Sequence, residues 1–277
     1  MTNISASDIN KLRQMTGAGM MDCKKALSET NGDFEAAIDF LRKKGQKISS
    51  SRADRKASEG AVIALTNDSR TKGVVIELNC ETDFVAKNDD FVKTAREIAQ
   101  AALENEPADL DALNAMSIGG VAISQRLLDD MGKIGEKIEV SKYAIVQGEN
   151  VVAYIHAGNR LGVLVEMTNT PSEASLLAGK DAAMQIAAMN PVAVDRSDVD
   201  ATTVAREMEI GREQARAEGK PEAMLDKIAE GKLQKFYKES TLLNQDFVKD
   251  PSRTVGKMLS DTEPGLVVKR FVRIALG

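Results

Sequence analysis

Cysteine and histidine are scarce in this sequence. It holds two cysteines, Cys23 and Cys80, far apart, and one histidine, His156. That set cannot supply a structural zinc site or a disulfide framework, and it suits a reducing compartment. No basic leader followed by an apolar block opens the chain, and no 18-residue apolar run occurs later. Neither export nor membrane spanning is expected, and a cytoplasmic location is. A basic excess is also missing: the net charge is −5, which argues against a surface built throughout for phosphate backbones. What is present is a well-charged chain of 277 residues, long enough for two compact domains.

The first 45 residues read as three short helices. Ser5 and Asp8 form a capping-box signal, Ile9, Leu12 and Met15 make an apolar stripe, and Gly17 and Gly19 end the first helix. The second carries Met20, Cys23 and Leu27 at helical spacing and stops at Asn31–Asp33. That spacing turns Met20 toward the helix packing and leaves Met21 the freer. The third runs from Phe34 through Leu41 and is expected to stop at Gly45. Arg42 to Lys56, with seven basic residues and one acid, reads as a solvated linker; it lacks aromatics for base stacking.

From residue 61 the period becomes that of strands. Val62–Leu65 and Val74–Leu78 form a hairpin, followed by a helix with Phe91, Ala95, Ile98, Ala99 and Ala102 on one face and Asn88 as its cap. The pattern returns 89 residues later: Val62 meets Val151, Gly73 meets Gly162, Glu77 meets Glu166 and Leu78 meets Met167. One deletion on, Ala95, Ile98 and Ala99 meet Ala183, Ile186 and Ala187. Each copy then recruits a late strand, from Lys137 and from Gly265, giving two small sheets backed by helices. The second copy carries an insertion, two helical arms from Val199 to Gly219 and Glu222 to Ser240. The expectation is an α+β fold: 1–56 a three-helix module with its linker, 57–147 the first copy, 148–190 with 241–277 the second, and 191–240 the helical hairpin.

One stretch does not fit the duplication. "TDFV", Thr82 to Val85, opens the first copy's helix, where the second copy has Pro171, Ser172, Glu173 and Ala174. Asp83 complements a helix start, and Phe84 could extend a buried face. Yet the Asp-Phe pair has no echo in the second copy, which favours specialisation: an aromatic wedge for a partner's pocket, with a carboxylate competing for donors or a cation there.

"TGAGMMDCKKAL" from Thr16, "NCETDFVAKNDDF" from Asn79, "MGKIGEKI" from Met131, "IHAGNRLGVLVE" from Ile155 and "FVKDPSRTVGKML" from Phe247 together resemble the bacterial elongation factor Ts family over nearly the whole chain. The resemblance implies a non-enzymatic guanine nucleotide exchange factor for the GDP form of elongation factor Tu. It also implies an N-terminal module like ubiquitin-associated domains, a duplicated core, and a hairpin for self-association or docking, with a homodimer or a 2:2 assembly left open. It implies no cofactor, no metal, no membrane and no direct nucleic-acid contact. By motif, Thr82, Asp83, Phe84 and Val85 would enter near the GTPase's magnesium site, and Ile134 and Gly135 near its phosphate loop. Arg13, Met20 and Met21 would touch the GTPase domain from the N-terminal module, and His156, Phe247 and Val248 would face another partner domain. Many members continue into a C-terminal helix after the last strand; here that contact is expected to be absent.

Other readings stay beside it. Cys80 with His156 as base would make an enzyme, and the basic stretch with the hairpin would make an RNA binder. Gly135 and Gly158 read equally as turn residues with positive φ, and Ile134 as a core position at a strand start.

Overall fold

The computed structural model describes residues 4–277; the first three residues of the 1–56 segment lie outside it. Three helices lead: α1 (Ala6–Thr16), α2 (Met20–Glu29) and α3 (Phe34–Ser51). Ser5 and Asp8 close the capping box at the start of α1, and Gly17 ends it in the left-handed conformation at φ 68. The helices are short and hold one another through Leu12, Cys23, Ala26, Leu27 and Ala37. Met15, expected in that stripe, is exposed, and so is Met20, which sits in the first turn of α2.

The third helix corrects the expected stop at Gly45. It runs on to Ser51, so ten residues of the supposed linker are helical and only the turn after Arg52 is irregular. Gly45 is buried against a later helix, α7 (Ile123–Ile134), where a Cβ would lie 2.3 Å from the Leu128 carbonyl oxygen; a Cβ on Gly132 of that helix would lie 3.3 Å from the Gly45 Cα. Two glycines let the backbones touch, and Ile48 then packs into the first core. That tertiary contact outweighs a weak local helix signal.

The first copy contains β1 (Glu59–Thr66), β2 (Lys72–Cys80), the single turn α4 (Asp83–Ala86), α5 (Asp89–Asn105) and α6 (Leu110–Ala115). The two-residue strands β3 (Ser117–Ile118) and β4 (Val121–Ala122), then α7 (Ile123–Ile134) and β5 (Glu139–Gln147), complete it. The second contains β6 (Asn150–Ile155), β7 (Leu161–Met167), α8 (Glu173–Met189), α9 (Ala201–Ala217) and α10 (Leu225–Ser240). It ends with β8 (Asp246–Phe247), β9 (Asp250–Thr254), α11 (Val255–Thr262) and β10 (Val268–Ala275). Each copy makes an antiparallel three-stranded sheet, in the orders β1-β2-β5 and β10-β7-β6. The 89-residue shift carries β1 onto β6 and β2 onto β7.

The sheets pack face to face through Val62, Val75, Val146, Val151, Leu164 and Ile274. The contact is reciprocal: a Cβ on Gly73 would lie 2.8 Å from Val151 Cγ1 and 3.0 Å from Leu164 Cδ2, and one on Gly162 would lie 2.8 Å from Val62 Cγ1 and 3.2 Å from Val75 Cγ2. The repeat maps each contact onto the other. A second pair of equivalent positions holds buried carboxylates opposite cations across the strands, Glu77 with Lys142 at 2.9 Å and Glu166 with Arg270 at 2.5 Å. Buried charges persist only with such partners.

The α9–α10 arm leaves and rejoins at one place, where Val192 N–H donates to the Ser240 carbonyl and Leu242 N–H to the Ala193 carbonyl. Its arms close over Gly211, Ala215, Leu225, Ala229 and Leu233. No helix among the described residues is long and apolar enough to cross a membrane.

Candidate functional site

Strand β2 ends at Cys80, and the chain turns through Glu81 and Thr82 into α4. Thr82 is the cap: its hydroxyl accepts from the Val85 N–H at 3.4 Å. The turn ends at Lys87, and Asn88 caps α5 anew by accepting from the Asp90 N–H at 2.8 Å. Val85 and Ala86 pack inward on the first core. Phe84, on the opposite side, is 85% exposed. Such an aromatic, with no packing role at home, is a candidate anchor for a partner. Beside it Asp83 bonds Lys87 at 2.6 Å, and that hydrogen bond holds its carboxyl below the usual carboxylate range.

Glu81 and Glu136 fix this turn in place. Glu136, just after α7, accepts from the Glu81 and Thr82 N–H groups, each at 3.1 Å, and from the Thr82 hydroxyl at 2.7 Å. In return Glu81 accepts from the Lys137 N–H at 2.7 Å, and from Arg52 at 2.7 Å and Arg55 at 3.1 Å. Burial opposes charge on Glu81, but the Lys137 amide and both guanidiniums outweigh it, drawing its pKa down to about 2. These residues carry no sequence signal of their own, since a carboxylate bonding a distant backbone follows no periodicity.

On the other side of the contact, Ile134 closes α7 and is 42% exposed, and Gly135 follows at φ 81 with open space where a Cβ would be. Ile134 therefore occupies no strand-start core position. The structure thus brings Thr82–Val85 and Ile134–Gly135 to one neighbourhood, with Thr82 and Val85 as its footing and Phe84 and Ile134 outermost.

The β6–β7 turn lies beside the start of β1. Gly158 adopts φ 81 there, and Arg160 pairs with Glu59 at 2.5 Å, the residue opposite Cys80 in the sheet. Glu59 raises the Arg160 pKa, and Asp83 adds to that field. His156 opens the turn, exposed, its Nδ1 2.9 Å from the Tyr154 hydroxyl. Val248 is 46% exposed and is positioned by its N–H, which donates to the buried Gln185. Phe247 departs from expectation: it is 3% exposed, packed in the second core with Arg253 over its ring at 5.8 Å. Its side chain supports the fold and offers no surface.

Arg13, Met20 and Met21 are all exposed on the N-terminal helices, Met21 at 74%. Beside them lies a cleft of about 300 Å³, where Met15, Ile38 and Leu41 face Val121 and Lys133 across elements distant in the chain, which no local pattern announces.

The rival enzyme chemistry loses its basis. The Cys80 thiol is buried and bonds the Thr82 carbonyl; burial, with Glu136 nearby, pushes its pKa up to about 12, so it is no nucleophile near neutral pH. In the basic stretch four of the seven cations have carboxylate partners: Lys44 with Asp22 at 2.7 Å, Arg42 with Asp39 at 3.8 Å, and Arg52 and Arg55 with Glu81. No group of three or more His, Cys, Asp or Glu among the described residues is arranged to hold a metal ion.

Comparison with known proteins adds to this geometry. A family profile described as "Elongation factor TS" matches residues 81–277. The chain is similar to "Elongation factor Ts" of Cytophaga hutchinsonii, 53% identical over 277 residues and the whole of both chains. It is 52% identical to that of Amoebophilus asiaticus over 99% of each chain, and 50% identical to that of Christiangramia forsetii over the whole of both.

Proposed function

The chain belongs to the elongation factor Ts family of translation elongation factors, and from that premise we propose that it is a guanine nucleotide exchange factor for elongation factor Tu. It acts in the cytoplasm on the GDP-bound partner, during the elongation phase of protein synthesis. The single observation that carries the reading is Phe84: a large aromatic, 85% exposed, on a helical turn whose other face is anchored in the core.

A GTPase retains GDP through magnesium and oriented backbone amides around the phosphates. Phe84 wedges into the partner near that magnesium site, while Asp83, released from Lys87, competes for the groups that hold the ion. Ile134 and Gly135 press on the phosphate-loop side, where the bare Gly135 backbone permits close approach. Disturbing both supports weakens bound nucleotide, and by linkage bound nucleotide weakens the factor, so GTP entering the emptied site releases it. No covalent step is involved. Arg13, Met20 and Met21 hold the partner's GTPase domain, and His156 and Val248 face another of its domains.

Burying Phe84 in a partner pocket is worth about 2–3 kcal/mol, or about 30- to 150-fold in the rate it supports. Asp83→Ala combined with Phe84→Ala alters no buried group here, so the variant should fold and melt as the parent does. Fluorescent GDP release from elongation factor Tu should lose most of its acceleration; full acceleration by the double variant would refute the wedge.

A further inference from the structure

We propose that Glu81 and Glu136 are positioning residues that lock the Phe84 prong and the Ile134–Gly135 turn into one rigid contact element, so that the two act on the partner as a unit. This deepens the exchange reading and rests on it. The bonds are reciprocal: Glu136 takes the Glu81 and Thr82 amides and the Thr82 hydroxyl, and Glu81 takes the Lys137 amide. Each carboxylate thus belongs to one turn and holds the backbone of the other. The clip sits directly before Asp83 in one segment and directly after Gly135 in the other, so any slack in it moves both contact groups.

Charged acceptors strengthen these bonds, and their geometry fixes orientation as well as distance. The N-terminal segment braces the clip further. Arg52 and Arg55 reach Glu81, and Lys137 Nζ donates to the Ala53 carbonyl at 3.1 Å. None of these groups needs to touch the partner. Their contribution is to hold the Phe84–Ile134 spacing before binding, which spares the complex the cost of ordering two loops separately.

A double-mutant cycle tests this in GDP-release kinetics with GDP-loaded elongation factor Tu. Phe84→Ala, Ile134→Ala and both together are compared in the parent and in Glu136→Ala, at saturating and sub-saturating factor. With the clip intact, losing either contact should disable the other, so the combined loss falls short of the product of the single losses by about fivefold or more. In Glu136→Ala the maximal rate should drop about tenfold, and the two losses should then multiply. Glu136→Gln, which keeps one carbonyl oxygen for the Thr82 hydroxyl, should fall between; should Glu136→Ala fail to fold, the same cycle in Glu136→Gln decides. Equal coupling in the parent and the Glu136 variants, or a parental maximal rate in them, would overturn the clip and leave the exchange reading standing. A harmless Phe84→Ala in the parent would instead overturn the exchange reading, and the clip with it.

Discussion

Replacing Gly45 with alanine sets two physical effects against each other. In an exposed helix interior the change stabilises by about 1 kcal/mol, because glycine loses more backbone freedom than alanine on becoming helical. Here the new Cβ would stand 2.3 Å from the Leu128 carbonyl oxygen and 3.1 Å from its carbon, both backbone atoms of α7 that no rotamer change can move aside. An ordinary carbon–oxygen contact needs about 1 Å more, so α3 and α7 must separate along their whole line of contact. Overpacking of this kind costs about 1–3 kcal/mol, and separation also loosens Ile48 in the first core, so the net effect is destabilising by about 1–2 kcal/mol. Gly132→Ala on the facing helix is the control: its nearest neighbour is the Gly45 Cα at 3.3 Å, a squeeze of a few tenths of an ångström, so gain and loss nearly cancel. Thermal and denaturant unfolding of the two variants should rank Gly45→Ala clearly below Gly132→Ala, with a melting temperature a few degrees under the parent. A Gly45→Ala protein more stable than the parent would mean that the close helix crossing does not exist in solution. In that case α3 beyond Gly45 is the loose connector that its charge content suggests.

The reciprocal sheet contact implies that Gly73→Ala and Gly162→Ala each destabilise by about 1–3 kcal/mol in chemical unfolding, and by similar amounts, since neither glycine needs positive φ and the clash is with equivalent side chains. A neutral result at one position alone would break the pseudo-symmetry. Glu81 makes a pH-dependent contribution: its pKa falls from the ordinary 4.5 to about 2 on folding, so its stabilisation is complete above about pH 4.5 and is lost as pH falls toward 2. The stability gap between the parent and Glu81→Gln should therefore be constant from pH 7 to 5 and narrow below 4.5; a gap that widens on acidification would reverse the assigned sign.

Periodicity announced the strands and the helices α5 and α8 because each buries one face over many residues: Phe91, Ala95, Ile98 and Ala102 lie on one side of a long helix, and β1 and β2 keep their register from end to end. It failed where contacts between distant segments decide the outcome. The reach of α3 depends on Gly132, far along the chain, and Phe247 sits in a two-residue strand too short to show a period, so its burial could not be read from its neighbours. The exposed Asp83–Phe84 turn was legible as an unpaired feature of the repeat. Its supports were not, because Glu136 and Glu81 act on backbone amides, and amides leave no mark in a sequence.

The duplication serves as an internal control on what the scaffold requires. Both copies keep the buried carboxylate with its cross-strand cation, and both keep the glycine that admits the opposite sheet, because losing either would leave a buried charge or a clash. At the helix start they diverge. In the second copy Ser172 caps α8 at once, in a capping box with the buried Ser175, and the position equivalent to Phe84 is Glu173, exposed in the first turn. In the first copy Thr82 and Asn88 are two caps only six positions apart, and they split the helix so that α4 stands as a separate turn before α5. A scaffold needing only a helix behind its sheet would do with the simpler arrangement, as the second copy demonstrates. The extra cap, the extra turn and the bonds from Glu136 are therefore more than a helix behind a sheet requires, and what they jointly achieve is to hold one phenylalanine out into water.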